Sequence, residues 1–319
     1  MKVTEFISES TPKWLPFQDS SRLYTTEHDV AMHGYGTSPL RGTTASLYDR
    51  VQRRWYQLNI DTSPDNGDPE SWLTKILLHY IHEQSHCNVI TITNGHAKLS
   101  LKPNVGRPIR PPVISSSSLP IADYHDVVNK TYYDMSVDTC LWNGVKYMYK
   151  QLEFDEDIPR LQREVRCRER LHSVLQPESL SPHGICPISA LVVDGKPPRL
   201  CGFLMPDVGS PLIRVPTGAL GASHLMSLLE TLKCLRAAGV VHGDICERNV
   251  CVDAQSIHLI DFGELAPDYI NDIVATGKLF ERIGDRLPFQ ERGRIGQAAI
   301  VLVNREDLDG ALSILSSQD

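Results

Sequence analysis

The sequence has no apolar run approaching the ~20 residues needed to cross a lipid bilayer. Residues 1–17 also lack a long apolar stretch, so we expect no secretory signal. The eight cysteines are scattered without a paired C-x-x-C spacing, which argues against a zinc site or a disulfide framework and favours reduced thiols. These absences predict an intracellular protein, with the cytoplasm as the expected compartment.

A global basic field is absent as well. The formal net charge is −7, so we expect neither nucleic acid nor an anionic membrane as a partner. One local basic run is present, and its members are Arg160, Arg163, Arg166, Arg168 and Arg170. Glutamates at 164 and 169 interrupt the run, which is typical of a solvated helix face, and this is the interpretation we favour.

The first third of the chain predicts an N-terminal extension, residues 1–101. Residues 1–66 show no sustained periodicity, whereas Asp68-Pro69 is typical of a helix start and apolar residues recur at helical spacing from 72 to 81. Asn94-Gly95 predicts a tight hairpin between strands 87–93 and 96–101. Residues 102–120 are rich in Pro and Ser, which predicts an extended linker before a domain spanning 121–319.

Downstream of the linker, the pattern predicts two hairpins with a helix between them. The expected elements are strands 135–141 and 145–151, a helix from about 159 to 175, and strands 188–193 and 200–205. After residue 205 the spacing becomes helical, with a C-cap at Gly239, a short strand at 257–260, a helix across 273–283 and a last helix over 304–316 capped by Asn304. The order predicts an α+β protein with a small antiparallel-sheet lobe (121–205), a helical lobe (206–319) and a cleft between them.

The segment 240–264, VVHGDICERNVCVDAQSIHLIDFGE, carries the clearest chemistry. Asp244 and Asn249 are five residues apart on a loop that follows a helix, and Asp261 follows an apolar strand twelve residues later. A short hairpin would bring the three oxygen-bearing side chains to one edge. Phosphoryl transfer uses such a set, because a carboxylate accepts the proton of the attacking hydroxyl while oxygen ligands hold Mg²⁺ against nucleotide phosphates.

The combination H-G-D-x-x-x-x-N followed by D-F-G resembles the catalytic and metal-binding loops of the protein-kinase-like superfamily. Glycine after the histidine is commoner in small-molecule kinases of the aminoglycoside phosphotransferase type, and in small fungal kinase-like proteins, than in typical protein kinases. The resemblance covers about residues 125–285 and implies a two-lobed protein-kinase-like fold that uses ATP and Mg²⁺. It implies that Asp244 is the catalytic base, that Asn249 and Asp261 bind the metal, and that His242 braces the loop.

The same resemblance assigns further positions. Lys150 stands where the family's phosphate-pairing lysine lies, with Lys146 on the same strand as its rival. Glu164 would hold that lysine; its alternative is a pair with Arg160 or Arg168 at helical spacing. In Met205-Pro206-Asp207, Met205 and Asp207 would belong to the hinge whose backbone binds adenine, and Asp272 resembles the aspartate that anchors the catalytic loop from a helix beneath.

The sequence departs from the family pattern at several points. Residues 127–141, where a glycine-rich phosphate loop is expected, contain no glycine. Cys246 replaces the lysine of serine/threonine kinases, and Arg248 resembles the tyrosine-kinase arrangement and would substitute for it as a catalytic residue. The segment after Gly263 is only about eight residues long and has no A-P-E, and 47 residues follow Asp272, so the helical lobe is shortened.

Two functions fit these observations. The first is an ATP- and Mg²⁺-dependent phosphotransferase acting on a hydroxyl of a small molecule or a protein, with the H-G-D form and the short activation segment favouring a small molecule. The alternative is a pseudokinase, a nucleotide-binding or scaffolding module without catalysis, as the missing glycine loop and Cys246 suggest. In that case the N-terminal 120 residues would bind a protein partner.

Overall fold

The computed structural model describes residues 5–7, 29–38, 42–52, 54–62, 68–81, 87–102, 110–175, 180–253 and 256–317. Its strands are β1 (Glu5–Ile7), β2 (Val30–Ser38), β3 (Gly42–Asp49), β4 (Arg54–Ile60), β5 (Val89–Thr93), β6 (His96–Ser100), β7 (Val113–Ser116), β8 (Ile121–Asp123), β9 (Val128–Asp134), β10 (Val137–Trp142), β11 (Val145–Gln151), β12 (Ala190–Asp194), β13 (Arg199–Met205), β14 (Ser210–Pro211), β15 (Val250–Val252) and β16 (Ile257–Leu259). Its α-helices are α1 (Pro69–Ile81), α2 (Ile158–Val174), α3 (Ala222–Ala238), α4 (Asp272–Ile283), α5 (Phe289–Arg305) and α6 (Leu308–Ser316). The protein is therefore α+β, as the sequence predicts.

Contacts between residues divide the chain into two compact units. The site unit comprises the described residues of Met1–Ser8, Pro112–Tyr124 and Glu156–Asp319. The N-terminal unit comprises those of Glu9–Pro111 and His125–Asp155. Strands β9 to β11 thus group with residues before them, whereas the sequence assigned them to a domain spanning 121–319; that domain boundary stays a prediction.

The N-terminal unit contains a five-stranded sheet in the order β2-β3-β4-β5-β6, in which only β4 and β5 run parallel. Strand β4 buries alternate residues, including Tyr56, Leu58 and Ile60, against Leu73 and Leu77 of α1. The predicted helix and the hairpin at Asn94-Gly95 are both confirmed, and positive φ angles at both turn residues explain the Asn-Gly pair. Strands β2 to β4 lie where the sequence showed no sustained periodicity.

The same unit holds the antiparallel strands β9, β10 and β11. The predicted hairpin at Asn143-Gly144 is confirmed, again with positive φ at both residues. Strand β9 was not predicted, and Met135 lies in the turn before β10, with φ of 43°, instead of beginning that strand. The β9–β10 connection is therefore a two-residue turn built without glycine.

The site unit contains a sheet in the order β1-β7-β13-β12-β8, with β8 and β12 parallel. The hairpin of β12 and β13 is confirmed close to its predicted bounds. Strand β7 lies inside the segment predicted as a linker, and it pairs with both β1 and Arg199 of β13. Its apolar residues Val113 and Ile114 are buried, which gives this part of the proline-rich segment a place in the sheet.

The helices of the site unit enclose one large apolar core, formed mainly by leucines of α3 and by apolar residues of α4, α5 and α6. Helices α2, α3 and α4 match their predicted positions, and α3 ends at Gly239 with φ of 64°. The predicted last helix is wrong at its start, because residue 304 belongs to α5. Helix α6 is instead capped by Asp307, whose Oδ1 accepts a hydrogen bond from the Gly310 N–H at 2.9 Å.

Among the described residues, none of the helices combines the length and apolarity that a membrane span requires. All eight cysteines lie in the described part of the chain, and all are free thiols.

Candidate active site

Two loops meet at one end of the β15–β16 hairpin. The first loop (239–249) lies between α3 and β15 and carries the H-G-D motif, and the second loop (260–271) lies between β16 and α4 and carries the D-F-G motif. Val250 pairs with Leu259 in this antiparallel hairpin, so the residues just outside the strands are neighbours. The Ile260 N–H accordingly donates to the Asn249 carbonyl at 3.0 Å. Asn249 therefore lies beside the start of the second loop, which places it and Asp261 at the same end of the hairpin, as the sequence predicted.

His242 is buried and links the two loops through its ring. Its Nε2 donates to the Ile260 carbonyl at 2.8 Å, and its Nδ1 accepts from the Asp244 N–H at 3.2 Å. Burial lowers the pKa of this imidazole, so the neutral ring with the proton on Nε2 satisfies both bonds. The imidazole also contacts the buried Phe262 ring, with 4.5 Å between ring centroids. His242 thus braces Asp244 against the second loop.

Asp272, the first residue of α4, holds the backbone of the first loop. Its Oδ2 accepts from the His242 N–H at 2.8 Å and its Oδ1 accepts from the Gly243 N–H at 2.9 Å. The helix start itself is fixed by Asn271, whose side chain accepts from the Val274 N–H at 2.8 Å. Because both carboxylate oxygens are used, the loop can take only a narrow range of positions on α4.

Asp244 and Asn249 form a directly bonded pair. The Asn249 Nδ2 donates to the Asp244 Oδ2 at 2.8 Å and to the Asp244 carbonyl at 3.0 Å. These bonds orient the half-buried carboxylate of Asp244. They also leave Oδ1 as the remaining polar atom of the amide, and it accepts no hydrogen bond within the described part of the chain.

Asp261 has a left-handed backbone conformation, with φ of 60°. Its Oδ1 accepts from the Gly263 N–H at 3.3 Å, and Phe262 between them is completely buried. Aspartate tolerates this conformation better than most residues do, because its short polar side chain bonds locally. The turn keeps the carboxylate half-exposed at the surface while the phenyl ring enters the core.

The Asn249 amide oxygen and the Asp261 carboxylate are hard oxygen donors of the type that Mg²⁺ prefers, so the residues present fit this ion. Two ligands alone leave most of an octahedral shell to phosphates and water, as is usual for magnesium bound with a nucleotide. Among the residues that the structure describes, no group of three or more His, Cys, Asp or Glu is arranged as a metal site.

Arg163 of α2 joins the two loops to each other. Its Nη1 donates to the carbonyl oxygens of His242 at 3.2 Å and Glu264 at 3.0 Å, and it also bonds the Phe262 carbonyl. Its Nη2 donates to the Val241 carbonyl at 3.1 Å. One guanidinium therefore binds two carbonyls on each loop and fixes both relative to α2.

Gly243 has no space for a side chain. Its φ is 94°, and an added Cβ would lie 2.5 Å from Leu265 Cδ2 and 2.6 Å from the Glu264 carbonyl oxygen. The glycine of the H-G-D motif thus has a structural reason in this chain, because the segment after Gly263 packs directly over it.

A buried ion pair lies behind Phe262. Glu164 and Arg168 of α2 are 1% and 0% exposed, and Arg168 Nη2 donates to Glu164 Oε1 at 2.8 Å. The Arg168 guanidinium also bonds the Cys186 carbonyl and lies 4.8 Å from the centre of the Phe262 ring. Of the two helical-spacing partners predicted for Glu164, Arg160 and Arg168, the structure shows the pair with Arg168, while the predicted contact of Glu164 with Lys150 stays a prediction.

The structure also gives the positions of the other predicted residues. Met205 ends β13 and is buried, whereas Asp207 is exposed and its Oδ1 accepts from the Gly209 N–H at 3.3 Å. Arg248 is exposed on the first loop. Lys150 is half-buried in β11 of the N-terminal unit, and its contact with phosphates stays a prediction.

The interpretation of the arginine run as a solvated face is wrong for two of its members. Arg160, Arg166 and Arg170 are exposed, but Arg168 is buried and Arg163 is half-buried against the loops. The sequence did contain a signal: residues 161, 165 and 168 follow an i, i+4, i+7 pattern that places position 168 on the apolar face. Sequence reasoning missed Arg163, because its partners are backbone carbonyls about 80 to 100 residues away, and no side-chain pattern marks them.

Comparison of the chain with models of protein families and with curated proteins gives no match.

Proposed function

We propose that this chain is an ATP- and Mg²⁺-dependent phosphotransferase of the protein-kinase-like superfamily. The observation that carries the proposal is the Asp244–Asn249 pair, bonded at 2.8 Å and placed at the same hairpin end as Asp261. A base that must accept a proton from a substrate hydroxyl needs a fixed carboxylate, and three different groups hold this loop in place: Asp272, Arg163 and the His242 ring.

In the proposed reaction, a hydroxyl oxygen of the acceptor attacks the γ-phosphorus of ATP. The new phosphorus–oxygen bond forms as the bond to the β,γ-bridging oxygen breaks, and ADP leaves. Asp244 accepts the hydroxyl proton and later releases it to solvent. Magnesium held by Asn249 and Asp261 would supply positive charge to the nucleotide phosphates.

We further propose that the fold is the two-lobed kinase-like fold, with strands β9 to β13 and α2 in the sheet lobe and α3 to α6 in the shortened helical lobe. The order of elements supports this assignment: three strands, one helix, two strands, and then mainly helices with the β15–β16 hairpin between α3 and α4. The position of Asp272 under the first loop supports it as well.

The first experiment measures nucleotide binding as thermal stabilisation by Mg²⁺ and ATP, comparing the natural chain with Asp261→Asn. A ligand at a hundred times its Kd adds about 2.7 kcal/mol to the free energy of unfolding. We expect this stabilisation in the natural chain and much less of it in Asp261→Asn. The matched control is Asp285→Asn, which makes the same change at a fully exposed side chain and should behave as the natural chain does.

The second experiment measures turnover. Asp244→Asn removes the base but keeps the size of the side chain, and general-base catalysis typically contributes about 10²- to 10⁴-fold to the rate. We expect a loss of that order, with binding of Mg²⁺ and ATP retained. If neither nucleotide binding nor turnover is found at millimolar ATP, the phosphotransferase proposal fails and a scaffolding role takes its place.

A further inference from the structure

A cleft opens beside Asp244, on the side of the first loop that faces α4. It is open to solvent and has a cavity volume of about 90 Å³. Its walls come from the first loop, from the segment after Gly263 and from one face of α4, and they include Asp244, Tyr269, Lys278 and Arg282. The candidate base therefore lines a cleft that a small molecule can reach from solvent.

Two cations from α4 line this cleft. Lys278 and Arg282 are four residues apart, so their side chains lie on the same helix face, about 6 Å apart along the axis. The Lys278 Nζ is 3.7 Å from Asp268 Oδ2, and Asp268 is 83% exposed at the rim. Arg282 is exposed and makes no hydrogen bond or ion pair with any residue in the described part of the chain. Within the described part of the chain, no carboxylate lies within ion-pair distance of this exposed guanidinium.

Arg282 and the first loop line the same cleft. Asp244 and Cys246 of that loop form one wall, and Arg282 belongs to the wall that α4 supplies. One molecule in the cleft can therefore contact the guanidinium of Arg282 and the candidate base, Asp244.

We propose that this cleft binds the phosphate acceptor, and that the acceptor is a small anionic alcohol, with a carboxylate or phosphate group that Arg282 binds. The proposal rests on the proposed phosphotransferase function. A bound anion would supply the counterion that Arg282 lacks, and guanidinium matches carboxylate and phosphate with two parallel hydrogen bonds. The carbon skeleton would contact Tyr269 and the apolar residues beside it.

A cationic acceptor, such as an amino alcohol, fits this cleft less well. Its charge would be repelled by Arg282. Of the two carboxylates in the lining, Asp268 is within ion-pair distance of Lys278, and Asp244 would contact the acceptor hydroxyl in the proposed reaction.

The test measures binding of glycerol 3-phosphate to the full chain by saturation-transfer NMR, without ATP, with glycerol and ethanolamine as the neutral and cationic comparisons. Of the three compounds, we expect only glycerol 3-phosphate to bind at millimolar concentration, and we expect Arg282→Gln to weaken its binding at least fivefold. Arg305→Gln, an exposed arginine at the end of α5 and outside the cleft, is the matched control and should leave binding unchanged. Three results would overturn the proposal: glycerol 3-phosphate binds Arg282→Gln as well as it binds the natural chain, ethanolamine binds better than glycerol 3-phosphate, or glycerol 3-phosphate does not bind at 10 mM.

Failure of this proposal is distinguishable from failure of the proposed function. Binding of the phosphate probe needs no nucleotide, whereas the Asp261→Asn comparison needs no acceptor. Binding through Arg282 without any nucleotide effect would leave an anion site on a protein that is not a phosphotransferase. ADP formation with an acidic serine peptide, and none with glycerol 3-phosphate, would overturn the assignment to a small molecule.

Discussion

Breaking the Glu164–Arg168 pair tests whether α2 is held to the second loop by buried charge. The perturbations are Glu164→Leu, Arg168→Met and the double variant, all of which keep apolar bulk at buried positions. Glu164→Leu leaves the Arg168 guanidinium ionised in a site from which water is excluded, and Arg168→Met removes the bonded partner that the structure shows for Glu164. Such changes typically cost about 3–5 kcal/mol of unfolding free energy.

The double variant should lose much less than the sum of the two single changes. Replacing both members of a buried ion pair with apolar residues leaves no stranded charge, and such replacements are often neutral or even stabilising. Arg168 also bonds the Cys186 carbonyl and contacts the Phe262 ring, so some loss remains. We expect a coupling energy of at least about 2 kcal/mol, as is seen for groups in one network.

The assay is urea unfolding followed by far-UV circular dichroism. This signal reports mainly on the site unit, because α2 to α6 belong to it and only α1 of the described helices lies in the N-terminal unit. Tryptophan fluorescence would report elsewhere, since the described tryptophans, at 55, 72 and 142, lie in the N-terminal unit. The control cycle is Lys233→Met with Asp309→Leu, an exposed ion pair of 2.7 Å whose coupling should fall within experimental error.

Additive single losses below about 1 kcal/mol would refute the reasoning, because they would mean that the pair is solvated or dispensable. A different outcome would support the other predicted role of Glu164, its contact with Lys150. If Glu164→Gln abolishes turnover while the unfolding free energy is unchanged, its main task is to hold the predicted phosphate-binding lysine, Lys150.

The remaining predictions concern the groups that fix the first loop. Gly243→Ala should lower the unfolding free energy by about 2–4 kcal/mol, because alanine is strained at this positive φ and its Cβ would clash with backbone. The control is Gly293→Ala in α5, where a Cβ meets no atom within 4 Å; it should raise the unfolding free energy by up to about 1 kcal/mol in the same urea assay. Arg163→Met should reduce kcat at least tenfold, since each charge-assisted bond to a carbonyl is worth about 1.5–3 kcal/mol; an unchanged kcat in steady-state assays would show that the loops hold their positions without it. Asp272→Asn should cost about 1–3 kcal/mol by urea unfolding, because an amide has one acceptor for the two N–H groups that the carboxylate binds; a loss below about 0.5 kcal/mol would contradict this assignment.

The turn and helix-end preferences of individual residues correctly predicted part of the fold. Asn-Gly at 94–95 and 143–144 predicted hairpins because both turn residues need positive φ, which the structure shows. The leucine spacing of α3 and Gly239 after it predicted that helix and its end for similar local reasons.

Two elements that the sequence did not predict, α5 and β3, contain residues whose local preferences disfavour the observed structure. Helix α5 contains Gly293 and Gly296, which weaken helix propensity, and its buried face is fixed by packing on neighbouring helices. On α4, which packs on α5, a Cβ at Gly277 would lie 2.7 Å from the Val303 side chain. The close approach of the two helices therefore requires glycine at position 277. Strand β3 buries Thr43 and Asp49 among its apolar residues, which hides its alternation.

The sequence by itself determined the candidate chemistry: the spacing of Asp244, Asn249 and Asp261 and the hairpin between them bring the three residues to one edge, because short-range geometry suffices for that. Only the tertiary structure decided what holds the loops. Arg163 acts on backbone carbonyls about 80 to 100 residues away, which no local pattern encodes. The helical spacing does place Arg168 on the apolar face of α2, but its bond to the Cys186 carbonyl and its contact with the Phe262 ring depend on segments distant in the chain.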